Sequence, residues 1–90
     1  MTVTIDAIWL RIRRHEGSLF HTKTALDFTY RVESGYLITD RTDARLSKSG
    51  FAKALELVPF DGPSEINNLV IGPSYVWAIL HDDRIRLTDY

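Results

Sequence analysis

"LFHTKTALDFTYRVESGYLIT", residues 19–39, alternates apolar or hydroxyl-bearing side chains with polar and charged ones. The positions that share one side are Phe20, Thr22 and Thr24, and then Phe28, Tyr30 and Val32. A period of two residues is typical of a strand with one buried face. TALD (24–27) can turn the chain, and SG (34–35) offers a second turn before YLIT (36–39). We therefore predict a three-stranded antiparallel meander across this stretch.

A helical period precedes the meander, in IDAIWLRIRRHE (5–16). Four apolar residues follow the i, i+3, i+4, i+7 spacing of one helix face: Ile5, Ile8, Trp9 and Ile12. Thr4 can cap the first turn, basic residues fill the last turn, and Gly17 can end the helix. A strand with Ile8, Leu10 and Ile12 on one side is the alternative, and we prefer the helix.

The second half of the chain returns to helical spacing. LSKSGFAKALELVP (46–59) predicts a helix that is capped by Ser47 or Ser49 and stopped by Pro59. Three further segments follow: a short helix in SEINNLV (64–70), a helix in GPSYVWAIL (72–80), and RIRLT (84–88), which alternates like a final strand.

Together these elements predict one α+β domain over residues 1–90. We expect an antiparallel sheet of three to four strands. The N-terminal helix and two or three helices of the second half should pack on one face of it. The predicted core residues are Ile5, Ile8, Trp9, Ile12, Phe20, Phe28, Tyr30, Val32, Phe51, Leu55, Val58, Val76, Ile79 and Leu80.

GPSYVWAIL (72–80) has three interpretations. The apolar helix 73–81 has Val76, Ile79 and Leu80 on one face with aromatic residues beside them, which favours a place in the core. The second interpretation is an interface with a partner. In the third, the backbone amides around Gly72 and Ser74 bind an anion, although the segment has one glycine and no adjacent basic residue.

No pattern of catalytic or metal-binding residues stands out. The chain has no cysteine, and its histidines, His15, His21 and His81, lack the spacing of a metal motif. HDD (81–83) resembles a polar turn more than a set of metal ligands. No serine lies in G-x-S-x-G, and no phosphate-binding or dinucleotide-binding glycine pattern is present. We therefore predict a non-catalytic binding module without a metal or a small-molecule cofactor.

Hydropathy and charge indicate where in the cell the protein is expected and whether it binds membranes. No apolar stretch approaches the ~20 residues of a membrane span, and the N-terminus does not resemble a signal peptide. We expect a soluble, cytoplasmic protein that does not bind membranes. The net charge of −1 divides into +3 over residues 1–53 (nine basic, six acidic) and −4 over residues 54–90 (two basic, six acidic). The two halves can attract one another or present faces of opposite sign.

Nucleic acid is the partner class with a positive signal. Arg11 and Arg14 share the helix face opposite the isoleucines, and Lys23 and Arg31 lie on the polar side of the predicted strands. These four cations are our candidate phosphate contacts. The aromatic residues of the sheet, Phe20, Phe28 and Tyr30, share the apolar face, however, whereas a stacking platform needs aromatic residues that face outward on the basic side.

Association with another protein, or with a second copy of the chain, is the alternative. Leu10 lies off the isoleucine stripe, and Tyr75 and Trp77 flank the apolar face of helix 73–81. Large apolar side chains that a small domain leaves uncovered commonly mark interfaces. Core packing of Trp77 and simple exposure of Leu10 would remove this signal.

Overall fold

Two antiparallel sheets and four α-helices make up the fold, in a computed structural model that describes residues 3–90. The helices are α1 (Ile5–Arg14), α2 (Lys48–Leu55), α3 (Pro73–Leu80) and α4 (Asp83–Arg86), with a 3-10 turn at Pro63–Ile66. The strands are β1 (Phe20–His21), β2 (Asp27–Phe28), β3 (Tyr30–Glu33), β4 (Tyr36–Thr39) and β5 (Arg45–Ser47). The predicted α+β class is confirmed.

The predicted meander is divided between the two sheets. β1 pairs with β2 in a two-stranded ribbon, and β3, β4 and β5 form a separate sheet in that order. Thr22 closes the ribbon's turn, because its hydroxyl and its amide both bond to the backbone of Leu26. At Thr29 the backbone bonds instead to Asp40, through N–H to Oδ1 (2.9 Å) and through a carbonyl that accepts the Asp40 amide (3.0 Å). The chain therefore changes pairing partner at Thr29, which alternation of side chains does not reveal.

Helix α1 follows the sequence pattern closely. The Thr4 hydroxyl accepts the Ala7 amide at 3.2 Å, and the chain leaves the helix through Gly17 at φ 85°. Ser47 caps α2 by accepting the Gly50 amide at 3.0 Å, as one of the two predicted caps. Of the two alternatives for residues 5–16, a helix and a strand, the structure has the helix, over Ile5–Arg14.

Two short elements differ from the prediction. RIRLT (84–88) was predicted to be a strand, but α4 occupies most of it because the Asp82 carboxylate accepts the Arg84 amide and caps a helical turn. Ile85 is buried and Leu87 is exposed. β5 overlaps the start of the helix that was predicted over residues 46–59. Its three residues pair with β4 instead.

One cluster of buried side chains joins all these elements. Predicted core residues that are buried are Ile8, Trp9, Ile12, Phe20, Phe28, Tyr30, Phe51, Val76, Ile79 and Leu80. Four others, Ile5, Val32, Leu55 and Val58, are only partly buried against it. Buried residues that the prediction lacked include Leu37, Leu46, Phe60, Ile66 and Ile85. Leu37 and Leu46 come from β4 and β5, so the inner face of the three-stranded sheet faces the helices.

Gly72 fixes the segment before α3 against the sheet. It is left-handed (φ 64°), and a Cβ there would lie 2.6 Å from the Leu46 Cδ2 atom. Only glycine combines this backbone conformation with such a close approach. The chain before α3 consequently runs directly beside β5.

Candidate functional site

The outer face of the three-stranded sheet carries an ordered pattern of side chains. The β3–β4–β5 register places Arg31, Ile38 and Arg45 in one row across the strands. Glu33, Tyr36 and Ser47 form the adjacent row. Opposed Cβ atoms in antiparallel pairs lie about 4.5–5.5 Å apart. The two rows therefore form a continuous surface, which we call the outer sheet face.

Ile38 is shielded although it lies on this face. Its exposed fraction is 8%, yet it does not belong to the core cluster. Its cross-strand neighbours are Arg31 and Arg45, whose methylene stems can cover apolar surface while their guanidinium groups stay in water. Arg41 joins them along a shallow polar cavity above Ile38. Arginine side chains thus surround a buried isoleucine on the outer sheet face.

Tyr36 is the aromatic residue of the outer sheet face. Its exposed fraction is 42%, and the Arg45 guanidinium carbon lies 5.8 Å from its ring centroid. That distance is within the range of a cation–π contact, whose energy at an exposed site is about 0.5–1 kcal/mol. An outward aromatic ring beside a cation is the feature that the sequence pattern had not supplied.

The charged groups of the face differ in how firmly they are engaged. Arg31 Nε donates to Glu33 Oε2 at 2.5 Å, and this hydrogen bond lowers the pKa of the Glu33 carboxyl. Arg41 Nε donates to the Asp27 carbonyl at 2.7 Å. Within residues 3–90, Arg45 takes part in no ion pair and no side-chain hydrogen bond. Arg45 is therefore available to a ligand.

Acidic residues balance the arginines in number. Glu33, Asp40 and Asp43 lie on or beside the face. A ligand held by charge alone would gain little from a neutral surface. The exposed ring of Tyr36 is the other contact that this face offers.

The four predicted phosphate contacts are dispersed over the fold. Arg11 Nη1 lies 2.6 Å from Asp89 Oδ2 and donates to the Ile85 carbonyl, so it ties α1 to the C-terminal segment. Lys23 donates to the Asp61 carbonyl at 2.5 Å, near the Trp77 ring. Arg14 is exposed on α1, and Arg31 is the member of the set that lies on the outer sheet face.

The predicted interface and anion-binding residues have varied surroundings. Leu10 is 49% exposed. Tyr75 is partly buried against Phe28, with ring centroids 5.0 Å apart, and the Trp77 indole N–H donates to the Phe60 carbonyl. Four of the eight residues of α3 are buried in the core, namely Val76, Ala78, Ile79 and Leu80, as the first interpretation of its sequence predicts. At its start Gly72 packs on Leu46, and Ser74 is exposed without acting as a side-chain cap.

His81 is held by the backbone at both ring nitrogens. Nδ1 donates to the Trp77 carbonyl (2.9 Å) and Nε2 accepts the Phe60 amide (3.1 Å), which fixes the neutral tautomer. Burial lowers the pKa of this imidazole. Both ring nitrogens of His81 are therefore engaged by the backbone. Among residues 3–90 no group of three histidine or acidic side chains is placed to hold a metal ion.

Tyr36 and Arg45 were not among the predicted site residues. A signal for Tyr36 was present, because the two-residue turn SG fixes the register and places Glu33 opposite Tyr36. Arg31 and Tyr36 must then share a face. Arg45 has no comparable signal, since the pairing of β5 with β4 crosses a longer loop.

The chain matches no protein-family model, and neither a curated protein nor a solved structure shows significant similarity to it. In the part of the chain that the structure describes, no helix has the length and apolar character needed to cross a membrane. The residues themselves therefore carry the functional argument.

Proposed function

We propose that this protein binds single-stranded nucleic acid on its outer sheet face. The observation that carries the proposal is the placement of Tyr36, exposed and facing outward, on the same face as Arg31 and beside Arg45, which forms no ion pair within residues 3–90. Bases stack on aromatic side chains irrespective of sequence, and nearby cations attract the phosphates.

The dimensions of the face suit a short single strand. β4 has four residues, which span about 13 Å, and the three strands together are about 10 Å wide. Sheets that stack bases on their surface hold two or three of them. A duplex keeps its bases stacked inside and is read by an element that enters a groove. Within residues 3–90 the outer sheet face consists of strands β3, β4 and β5 and includes no helix, so the unpaired strand is the favoured ligand.

Titration of fluorescein-labelled oligonucleotides tests the proposal. We expect a ten-nucleotide poly-U or poly-dT strand to bind more tightly than a duplex of equal length, and affinity should fall as salt rises from 50 to 200 mM. Tyr36→Ala should weaken binding by about 5- to 150-fold, the equivalent of the ~1–3 kcal/mol that one stacked base contributes. Tyr36→Phe, which keeps the ring, should bind like the wild type.

Charge substitutions separate this face from the cations of α1 and of the β1–β2 turn. Arg45→Gln should weaken binding, whereas Arg14→Gln and Lys23→Gln are matched controls on other surfaces. Loss of binding in the two controls together with normal binding by Arg45→Gln would move the site to α1 and the β1–β2 turn. Absence of binding at 50 mM salt would reject the proposal.

Self-association is a second candidate function, supported by the exposure of Leu10 on α1. Half of this large apolar side chain is in contact with solvent, which is a feature of some interface residues. Analytical ultracentrifugation from 5 to 500 μM measures it. A dimer that Leu10→Glu dissociates would support this function, and a monomer throughout the range would reject it.

A further inference from the structure

A cavity of about 240 Å³ lies beside β5, at the edge of the outer sheet face. β5, the first turns of α2 and the segment that precedes α3 surround it. Tyr36 and Arg45 line this cavity and also belong to the outer sheet face. The two surfaces are therefore continuous.

The wall opposite the sheet is held in place. The amides of Leu69 and Val70 both donate to the Ile66 carbonyl, at 3.0 and 3.3 Å. Gly72 packs on Leu46 immediately afterwards. This segment is thus fixed at both ends, and the cavity does not depend on a free loop.

The polar side of the cavity offers positive charge and hydrogen-bond donors. Arg45 and Lys53 line it, no aspartate or glutamate does, and none of the ion pairs within residues 3–90 involves either cation. Ligands that suit it are anions rich in acceptor atoms.

Ser47 and Ser49 add one further donor. Their hydroxyl oxygens lie 3.1 Å apart, and Ser47 Oγ also accepts the Gly50 amide. Two hydroxyls carry two hydrogens, and the bond between them uses one of them. Whichever serine donates to the other, one hydroxyl hydrogen remains for a ligand.

The opposite side of the cavity is apolar. Leu69 and Ile71 line it, and Ile71 is 66% exposed. An inorganic anion would leave these side chains in water. The cavity thus fits a ligand that combines an anionic group with a flat or apolar body.

We infer that this cavity holds one nucleotide of the strand that the outer sheet face binds. Its phosphate lies against Arg45, Lys53 and the serine pair, and its base lies between Tyr36 and the apolar wall of Leu69 and Ile71. The inference rests on the proposed function. It identifies the edge of β5 as the place where one base leaves the stack.

Two exposed residues of the cavity test this without touching the aromatic ring. Lys53→Gln should weaken binding of the ten-nucleotide strand by about 3-fold and make the slope of log affinity against log salt shallower by about 0.7, the value for one phosphate contact on a single strand. Ile71→Ser should weaken binding without changing that slope. Gln and Ser are tolerated because both positions face solvent, and circular dichroism verifies the fold of each variant.

Amide NMR shifts locate the contact with small probes. Thymidine monophosphate should shift the amides of Gly50 and Ile71, and inorganic phosphate or N-acetyl-leucine should shift them less at equal concentration. Equal shifts with inorganic phosphate would overturn the inference in favour of a simple anion site. Larger shifts with N-acetyl-leucine would overturn it in favour of a peptide carboxylate.

The strand titrations distinguish failure of the cavity inference from failure of the proposed function. If Tyr36→Ala weakens binding while Lys53→Gln and Ile71→Ser bind like the wild type, the cavity inference is wrong and the outer sheet face remains the site. If no single strand binds to the wild type, both fail.

Discussion

Tyr30 and Tyr36 lie on neighbouring strands of one sheet and face opposite sides of it. Tyr30 is buried, its hydroxyl donates to the Ile12 carbonyl of α1 at 2.6 Å, and burial raises the pKa of its phenol. Tyr36 is exposed beside Arg45. Tyr30 thus joins α1 to the inner face of the sheet, whereas Tyr36 presents a solvent-exposed ring on the outer face. Strand register alone determines which role each tyrosine has.

Truncating the two tyrosines should give the largest contrast. Tyr30→Ala should lower the free energy of unfolding by about 3–5 kcal/mol, because it removes a buried ring and one of the two hydrogen bonds that the Ile12 carbonyl accepts. Tyr36→Ala should change it by less than about 1 kcal/mol and instead reduce strand binding. Urea unfolding followed by tryptophan fluorescence measures both. Equal losses of stability would contradict the assignment of the two faces.

Elements whose signals lie within consecutive residues could be predicted from the sequence, and elements that depend on pairing with distant residues could not. α1 was predictable because its apolar spacing and its Thr4 cap occur within consecutive residues. β5 was not, since three residues become a strand only by pairing with β4, and that pairing is not a local property. α4 depends on one capping carboxylate, Asp82, and its Ile85 mimics strand alternation. Tyr36 became a site candidate only when the β3–β4 register showed that its side chain lies on the outer sheet face.

Substitution of Gly72 tests how tightly the segment before α3 packs on Leu46 of β5. Gly72→Ala should destabilise the fold by about 2–4 kcal/mol, because a left-handed alanine is strained and its methyl group would overlap Leu46. Gly17→Ala is the matched control: Gly17 is also left-handed, but nothing lies within 4 Å of a Cβ there. It should cost about 1–2 kcal/mol, for the backbone alone. Equal losses in the two variants would show that contact with Leu46 has no energetic role.

Protonation of His81, which is partly buried, should have a smaller effect on stability, and this effect depends on pH. Because burial lowers the pKa of His81 below its unfolded value, the unfolded chain binds the proton more readily. The contribution of His81 to stability is therefore complete above about pH 6.5 and is lost as the pH falls through the lower folded pKa. Protonation also removes the acceptor of the Phe60 amide.

Urea unfolding at several values between pH 7 and pH 5 measures this dependence. His81→Gln should flatten the decline in stability over that interval. A decline of equal slope in the wild type and in His81→Gln would assign it to other groups.

The smallest effect on stability is expected for Glu33→Gln on the outer sheet face. The Arg31–Glu33 pair is exposed on both sides, and such pairs contribute about 0–1 kcal/mol. Acidification is a poor way to break the pair, because the hydrogen bond from Arg31 lowers the pKa of Glu33.

Glu33→Gln also frees Arg31 and removes one negative charge beside Tyr36. Strand binding should therefore tighten, and the slope of log affinity against log salt should steepen by about 0.7 for one added phosphate contact. Glu56→Gln, which removes an exposed acid from the end of α2, is the matched control for net charge. If both variants tighten binding equally, only net charge matters and Arg31 makes no contact of its own. If Glu33→Gln alone does so, the outer sheet face is where the strand lies.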